Sequence, residues 1–494
     1  MGTKESLSAG TSEADEVEDQ FQAPRWSFWA KLSNHGVEMR GAEPVPVEKR
    51  TDTRYVNVFT IFATSLTSLL PIGIGSVTTL GFRLSLRDAA LMIIFLQFLF
   101  AIPAAYIITI APLTGMRQMI QSRYCFGKYG NILTSVVVTL TVGGFAVTGS
   151  INGAQCLAAV QQDTLPVEAA IAIIMVLSLA IGFMGYRVMH LFTRWAWIPT
   201  LIAILILVGC AGSQLSEQAP LQTQSTSAQT YMAMVAFAAG NMVTWGNVAG
   251  DYACYMPPTA PRLRLATYCL LGVALPFSLL MIFGAAIGGA VYSYPGWLLA
   301  YKTGGIGNVI GYILISRLGN FGRFVLVILG LSVVGTCGRD IYSVSFNLTA
   351  VLPILRRVPR IVLSVIATGV IIGVAIPASR SFVASVTAFL SIIGYYAGAS
   401  VTCFLVEYLW FRKGDPRSFD PKIWNDGRAL PTGLSAIASV LIAWGLIIPS
   451  MQGDWYTGPI AEKTGDLGFE FAVVVAFLAY IPIRSLEIKI RGRL

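Results

Sequence analysis

Pro71-Ile72-Gly73-Ile74-Gly75-Ser76 and Ala239-Gly240-Asn241-Met242-Val243-Thr244-Trp245-Gly246-Asn247 each interrupt a long apolar run. Proline and glycine weaken a helix interior, and Ser and Asn side chains compete for its backbone bonds. An irregular backbone survives at membrane depth only where it is buried in protein or lines a cavity. The two interruptions fall in the first and sixth apolar spans, at corresponding positions of two five-helix units. Such a pairing points to a transport site built on inverted repeats. Small residues also serve close helix packing, which is the competing explanation for either stretch taken alone.

Working outward, the remaining apolar runs complete the pattern. A hydrocarbon core takes about 20 apolar residues per helix. The expected spans are 57–82, 88–112, 130–160, 167–186, 193–213, 230–256, 263–290, 322–352, 360–378, 383–411, 431–450 and 467–487. This is an all-α integral membrane protein of about twelve helices. Ten form a core over 53–412, with broken helices 1 and 6. A cytoplasmic loop at 413–430 leads to two extra helices over 431–487. Residues 1–52, polar and acidic between Glu13 and Asp19, read as a disordered cytoplasmic tail, and 488–494 as a second tail. The segment 291–321 reads as a long outer loop.

Composition agrees. Hydrophobic residues make up 55% of the 494 and charged residues 12%, with a mean hydropathy of +0.67. Soluble domains carry about 25% charged residues, so this chain cannot cover a water-facing surface. The net charge of +9 comes from short gaps between apolar runs, which excludes a nucleic-acid binder. Arg117, Arg123, Lys128, Arg187, Arg194, Arg262, Arg264, Arg356, Arg357, Arg360, Arg412 and Lys413 all fall on the side of the two termini. The opposite loops at 161–168 and 214–229 hold no Lys or Arg. By the positive-inside rule both termini are cytoplasmic, with the plasma membrane the expected location.

The seven cysteines form no CxxC pair, so neither a disulfide framework nor a zinc site is expected. No HExxH, GxSxG or P-loop appears, and the two histidines, His35 and His190, fall in the tail and a loop. An enzyme is therefore not expected, and no cofactor or metal is called for.

Several motifs carry a family resemblance. They are Gly115-Met116-Arg117-Gln118-Met119, Ser122-Arg123-Tyr124-Cys125-Phe126-Gly127, Gly153-Ala154-Gln155, Trp245 with Asp251-Tyr252, and Trp424-Asn425-Asp426. The tail adds Gly458-Pro459-Ile460-Ala461, Asp466-Leu467-Gly468-Phe469-Glu470 and Arg484-Ser485-Leu486-Glu487. In order and spacing they resemble the fungal purine–cytosine permease group of the nucleobase:cation symporter family 1. The resemblance implies alternating-access transport of nucleobase-type substrates, usually with protons as the coupling ion.

A flat heteroaromatic is held best between aromatic faces, with its edge on hydrogen-bonding groups in apolar surroundings. The resemblance makes Trp245 the stacking residue of the sixth helix and Phe145 its third-helix partner, where the family carries tryptophan. Gly149, Asn247, Thr336, Cys337, Gly75 and Ser76 complete the expected substrate site. The family's Asn-Asn-Ile-Pro-Asn run reads Thr336-Cys337-Gly338-Arg339-Asp340 here, and its fifth-helix acidic residue reads Thr193. Charges deep in a span are costly and functional by default. Asp340, Arg339 and Asp251 are therefore the coupling candidates, with Asp340 first and Asp251 the more structural. Glu407, near the cytoplasmic end of the tenth helix, reads as solvated or snorkelling. Because the pocket has fewer amides than the family pattern, a B6 vitamer or another small nitrogenous metabolite stays open as substrate. So does a sensor that binds without transporting. Oligomeric state is not legible.

Overall fold

Span 1 of the computed structural model is two helices, α1 (Val56–Leu66) and α2 (Leu69–Leu80), bent by 62° at Thr67 and Ser68. The structure describes residues 43–161, 164–183, 185–219, 227–351, 358, 360–453 and 455–494. The tail from 1 to 42 lies outside them. So do the side chains of Arg187, His190, Thr193, Arg194, Arg356, Arg357 and Arg360.

The first break corrects the sequence reading, which placed it at Pro71–Ser76. Ser68 is the N-cap residue, extended at φ −151° and ψ 176°. Pro71 therefore falls in the first turn of α2, where a backbone N–H has no intrahelical partner to lose. Gly73 and Gly75 are helical. They serve close packing, as the competing explanation held. Gly75 lies against the Met281 carbonyl, and Gly284 of the facing helix lies against the Ile72 carbonyl, so a Cβ at either would overlap backbone.

Next come α3 (Leu86–Ile107), α4 (Arg123–Val160), α5 (Val167–Phe183) and α6 (Gly185–Ala211), giving spans 2 to 5. Span 6 is α7 (Ala228–Met242), which gives way to 3₁₀ turns at Val243–Asn247 and Ala249–Tyr252. The expected interruption lies here. Then follow α8 (Arg262–Ala290), α9 (Pro295–Leu318), α10 (Asn320–Leu331), α11 (Val333–Val351), α12 (Arg360–Ser379) and α13 (Phe382–Val406). Last are α14 (Leu434–Ser450) and α15 (Gly468–Arg491).

Helix packing repeats with a shift of five spans. Span 1 packs on span 7, and span 6 on span 2. Spans 3 and 4 pair as spans 8 and 9 do. Span 3 meets span 9 as span 8 meets span 4, and span 1 meets span 5 as span 6 meets span 10. The contacts 2·7 and 3·8 map onto themselves. Gly240 of span 6 lies against the Leu390 carbonyl of span 10, so small residues set the crossing in this half too.

Two other expectations change. The segment 291–321 is not a loop but contains α9, apolar enough to qualify as a span by length. Its backbone breaks at Gly304 and at Gly305, whose φ is +73°. Residues 43–52, assigned to the tail, are anchored by the buried Val45 and Arg50. Arg50 is buried and donates to the carbonyls of Val45, Pro112, Leu113 and Thr114. Among the described residues no disulfide links the seven cysteines.

Candidate functional site

The breaks in spans 1 and 6 face spans 3 and 8, and the space between them is a cavity of about 940 Å³ including its mouth. Leu66 comes from the end of α1 and Leu70 from the start of α2. Val138, Thr141, Val142 and Phe145 come from α4. Asn241, Thr244, Trp245, Asn247, Asp251 and Tyr252 come from the broken part of span 6. Arg339, Asp340, Ser343 and Asn347 come from α11.

The cavity therefore brings together Trp245, Phe145, Asn247, Asp251, Arg339 and Asp340 from the sequence-predicted set. Trp245 sits in the 3₁₀ turn Val243–Asn247, where the backbone no longer follows helical spacing. Phe62 meets its ring edge-on, with centroids 5.4 Å apart. The Arg339 guanidinium carbon lies 5.5 Å from the Trp245 centroid, a cation–π distance. Phe145 meets Phe389 edge-on at 5.5 Å. Asn247 Nδ2 donates to Ser400 Oγ at 3.4 Å.

Arg339 and Asp340, though consecutive on a helix, form an ion pair. Asp340 Oδ1 accepts from Nε at 3.2 Å and from Nη2 at 3.0 Å. Asp340 is only 3% exposed. Its second oxygen, Oδ2, and the remaining guanidinium nitrogen, Arg339 Nη1, are buried without a hydrogen-bond partner. Asp251 differs. Its Oδ1 accepts from the Gln118 backbone N–H at 2.8 Å, tying span 6 to the start of the short helix Gln118–Gln121.

Thr336, Cys337, Gly149, Gly75 and Ser76 do not line the cavity. Thr336 Oγ1 donates to the Ser65 carbonyl at 3.0 Å, and Ser332 Oγ accepts from Leu69 N–H at 3.0 Å. Span 8 thus satisfies backbone groups on both sides of the span 1 break, which a helix end would otherwise leave unpaired. Cys337 Sγ donates to the Ala146 carbonyl at 3.6 Å. A Cβ on Gly149 would sit 3.2 Å from that sulfur, so both belong to the α4–α11 crossing. Ser76 Oγ donates a hydrogen bond to the Gly73 carbonyl of its own helix.

Sequence reasoning missed Asn241, Tyr252, Ser343 and Asn347 as cavity residues. The signal for two of them was present. Ser343 and Asn347 stand three and seven places after Asp340, on one helix face. Glu407 was also misread. It is 1% exposed and accepts from Arg412 Nε, Arg484 Nε and Nη2, and Tyr480 Oη at 2.9–3.0 Å.

The family motifs distant from the cavity act in packing. Gly127 takes φ +67°, and a Cβ there would overlap the Pro431 and Thr432 backbone; glycine adopts this conformation without a Cβ penalty. Arg123 Nη1 donates to the Trp424 carbonyl and to Asn425 Oδ1. The Asp426 carboxylate accepts from the Arg428 and Ala429 backbone N–H groups, which hold it below the usual carboxylate range.

Comparison with known proteins agrees with this geometry. Residues 44–469 match the family described as permease for cytosine/purines, uracil, thiamine, allantoin. The purine-cytosine permease fcyB of Emericella nidulans is 31% identical over 92% of this chain and 90% of its own length. The purine-cytosine permease FCY2 of Saccharomyces cerevisiae is 27% identical over 98% and 93%. The solved structure of Mhp1, a nucleobase-cation-symport-1 family transporter closed around bromovinylhydantoin, covers 92% of this chain and 96% of its own, with a TM-score of 0.70 and 14% identity. That likeness is one of fold. Helix packing with a five-span repeat, a cavity at the paired breaks, and a family match over most of the length converge: the chain is a multi-pass membrane transporter, not an enzyme, and it belongs to the family of permeases for cytosine and purines, uracil, thiamine and allantoin.

Proposed function

We propose that this permease moves purine- or cytosine-type nucleobases by alternating access, coupled to protons. The observation that carries the reading is a single cavity, at the breaks of spans 1 and 6, holding Trp245, Phe145 and the Arg339–Asp340 pair. Aromatic faces suit a flat ring, and polar groups in apolar surroundings suit its edge. The names of the two fungal relatives support the same substrate class. Asp340 is the first coupling candidate because it is deep in a span and keeps an oxygen free of protein partners. Asp251 is committed to the Gln118 backbone. The loop-charge asymmetry supports cytoplasmic termini at the plasma membrane, and tags at either end should resist external protease in intact cells.

The test is a competition-uptake panel of purines, pyrimidines and B6 vitamers in a strain lacking its own permeases. Concentrative, uncoupler-sensitive uptake of at least one purine or cytosine is expected. Uptake of B6 vitamers alone would overturn the substrate class. Binding without accumulation would make the protein a sensor.

A further inference from the structure

We infer that the end of α15 and the neighbouring loop at 425–428 form a binding site for the headgroup of an anionic phospholipid. Its placement in the cytoplasmic leaflet rests on the orientation proposed above. The site itself uses none of the cavity residues.

Arg339, Arg412 and Arg484 meet carboxylates. The cations at this corner are held differently. Arg491 Nη2 donates to the Arg428 carbonyl at 2.8 Å, and Arg493 Nη2 donates to the same oxygen. Lys128 Nζ, at the start of α4, donates to the Asn425 carbonyl at 2.8 Å. A carbonyl orients a cation but leaves its charge standing. Arg50 also rests on carbonyls, but it has four of them to itself, whereas Arg491 and Arg493 share one. Two guanidinium groups on one acceptor lie within roughly 6 Å of each other, where like charges repel.

The nearby carboxylates are occupied. Asp426 accepts from the Arg428 backbone N–H at 2.8 Å. Glu487 accepts from the Thr432 N–H and hydroxyl and from Ser435, and pairs with Arg484 at 3.0 Å. Its approach to Arg491 is longer, at 3.6 Å. Among the described residues no ion pair joins a carboxylate to Lys128, Arg428, Lys489 or Arg493. Cations fixed side by side without a counter-charge suit the oxygens of a phosphate.

Apolar side chains decide where that phosphate comes from. Leu434 at the start of α14, and Leu486 and Ile490 one turn apart on α15, are exposed. On a spanning helix such side chains face acyl chains. Arg491 and Arg493 follow Ile490 at once, where headgroups begin. A free phosphate would make no use of the apolar face, and a phospholipid uses both parts. Three oriented cations match a headgroup with more than one negative charge, such as an inositol phosphate. The exposed Arg428 and Lys489 side chains add attraction.

The experiment measures binding of short-chain phosphatidylinositol 4-phosphate to the purified full chain in detergent. Short-chain phosphatidylcholine and inorganic phosphate are the competitors. Variants are Arg493→Gln, the double variant Arg491→Gln with Arg493→Gln, and a control double variant, Arg417→Gln with Lys422→Gln. The control removes two exposed cations whose side chains make no hydrogen bond among the described residues. Each Lys or Arg at a membrane surface contributes about fivefold to the attraction of anionic lipid. Arg493→Gln should therefore weaken binding about fivefold and the Arg491–Arg493 double variant about twentyfold or more, with the control within about threefold of wild type. Neither competitor should displace the lipid at about a hundredfold excess. Equal weakening in the control would overturn the inference, as would wild-type affinity in the Arg491–Arg493 double variant. Displacement by inorganic phosphate as readily as by the lipid itself would make this a free-anion site and overturn it too. Arg493 is exposed, so its single variant keeps the fold and decides the matter if the double variant unfolds. A C-terminal tag open to external protease would instead bring down the orientation and leave the headgroup site to the other leaflet.

Discussion

Two buried clusters of charge sit within spanning helices, and they are built to opposite rules. Around Glu407, both carboxylate oxygens are filled by Arg412, Arg484 and Tyr480, and Arg412 Nη2 also donates to the Tyr124 carbonyl. This cluster ties spans 10 and 12 to the start of α4. Around Asp340, one oxygen is filled and one is empty, and the guanidinium keeps an unused corner. What separates them is the carboxylate: both oxygens of Glu407 are filled and Oδ2 of Asp340 is not. Arg484 Nη1, ion-paired with Glu487 Oε2 at 3.0 Å, has no hydrogen-bond partner, and in that it is like Arg339 Nη1. A saturated carboxylate holds helices together, whereas an unsaturated one lining a cavity waits for something to complete it.

The comparison breaks most visibly at Glu407. Removing one member of a buried ion cluster leaves uncompensated charge and costs about 3–5 kcal/mol. Glu407→Gln should therefore lower the melting temperature of the purified protein sharply and cut its surface amount, with residual uptake showing an unchanged substrate ranking. A Glu407→Gln protein of normal stability and altered substrate ranking would move this cluster from structure to recognition.

Asp340→Asn tests the other side. The substitution leaves the buried Arg339 guanidinium uncompensated, so the surface amount should fall here too; normalised to that amount, accumulation against a gradient and its dependence on external pH should be lost. Asp251→Asn should keep pH-dependent accumulation and lose stability modestly, since an amide oxygen still accepts from Gln118. If Asp340→Asn concentrates substrate with wild-type pH dependence, Asp340 is not the coupling group. Trp245→Ala should follow in size. Base–aromatic stacking is worth about 1–3 kcal/mol per base, so affinity for the transported base should fall about tenfold to a hundredfold, with Trp245→Phe intermediate. Normal affinity in Trp245→Ala would place the ring elsewhere.

Much of this was legible because membrane helices announce themselves by length and apolar character. The break in span 6 was legible too, since Gly240, Asn241 and Thr244 all disfavour helix. The break in span 1 was placed several residues late. Pro71 draws attention, yet a proline is harmless in a first turn, whereas Thr67 and Ser68 carry no strong signal of a bend. Glu407 was misread because its partner Arg484 lies 77 residues away, and no spacing rule links them. The polar stripe of α11 was legible at Asp340, Ser343 and Asn347. Attention went one turn too early, to Thr336 and Cys337, because the family motif begins there.

Thr336 is where the smallest effect sharpens the comparison. Its hydroxyl donates to the Ser65 carbonyl at the last turn of α1, while Ser332 accepts from Leu69 at the first turn of α2. The two residues are one turn apart on span 8, and together they bracket the bend. Thr336→Val keeps the side-chain shape and removes the donor. The Ser65 carbonyl then loses one bond, worth about 1 kcal/mol, a cost charged to the bend and not to a substrate. The melting temperature should fall by a few degrees, and affinities for all transported bases should stay within about twofold of wild type. The contrast with Asp340 is the point of the measurement. Both residues lie on α11 and both correspond to the family's eighth-helix motif, but only Asp340 has an atom left over. Should Thr336→Val discriminate between bases while leaving stability untouched, unfilled hydrogen-bonding capacity would no longer mark where this permease meets its cargo.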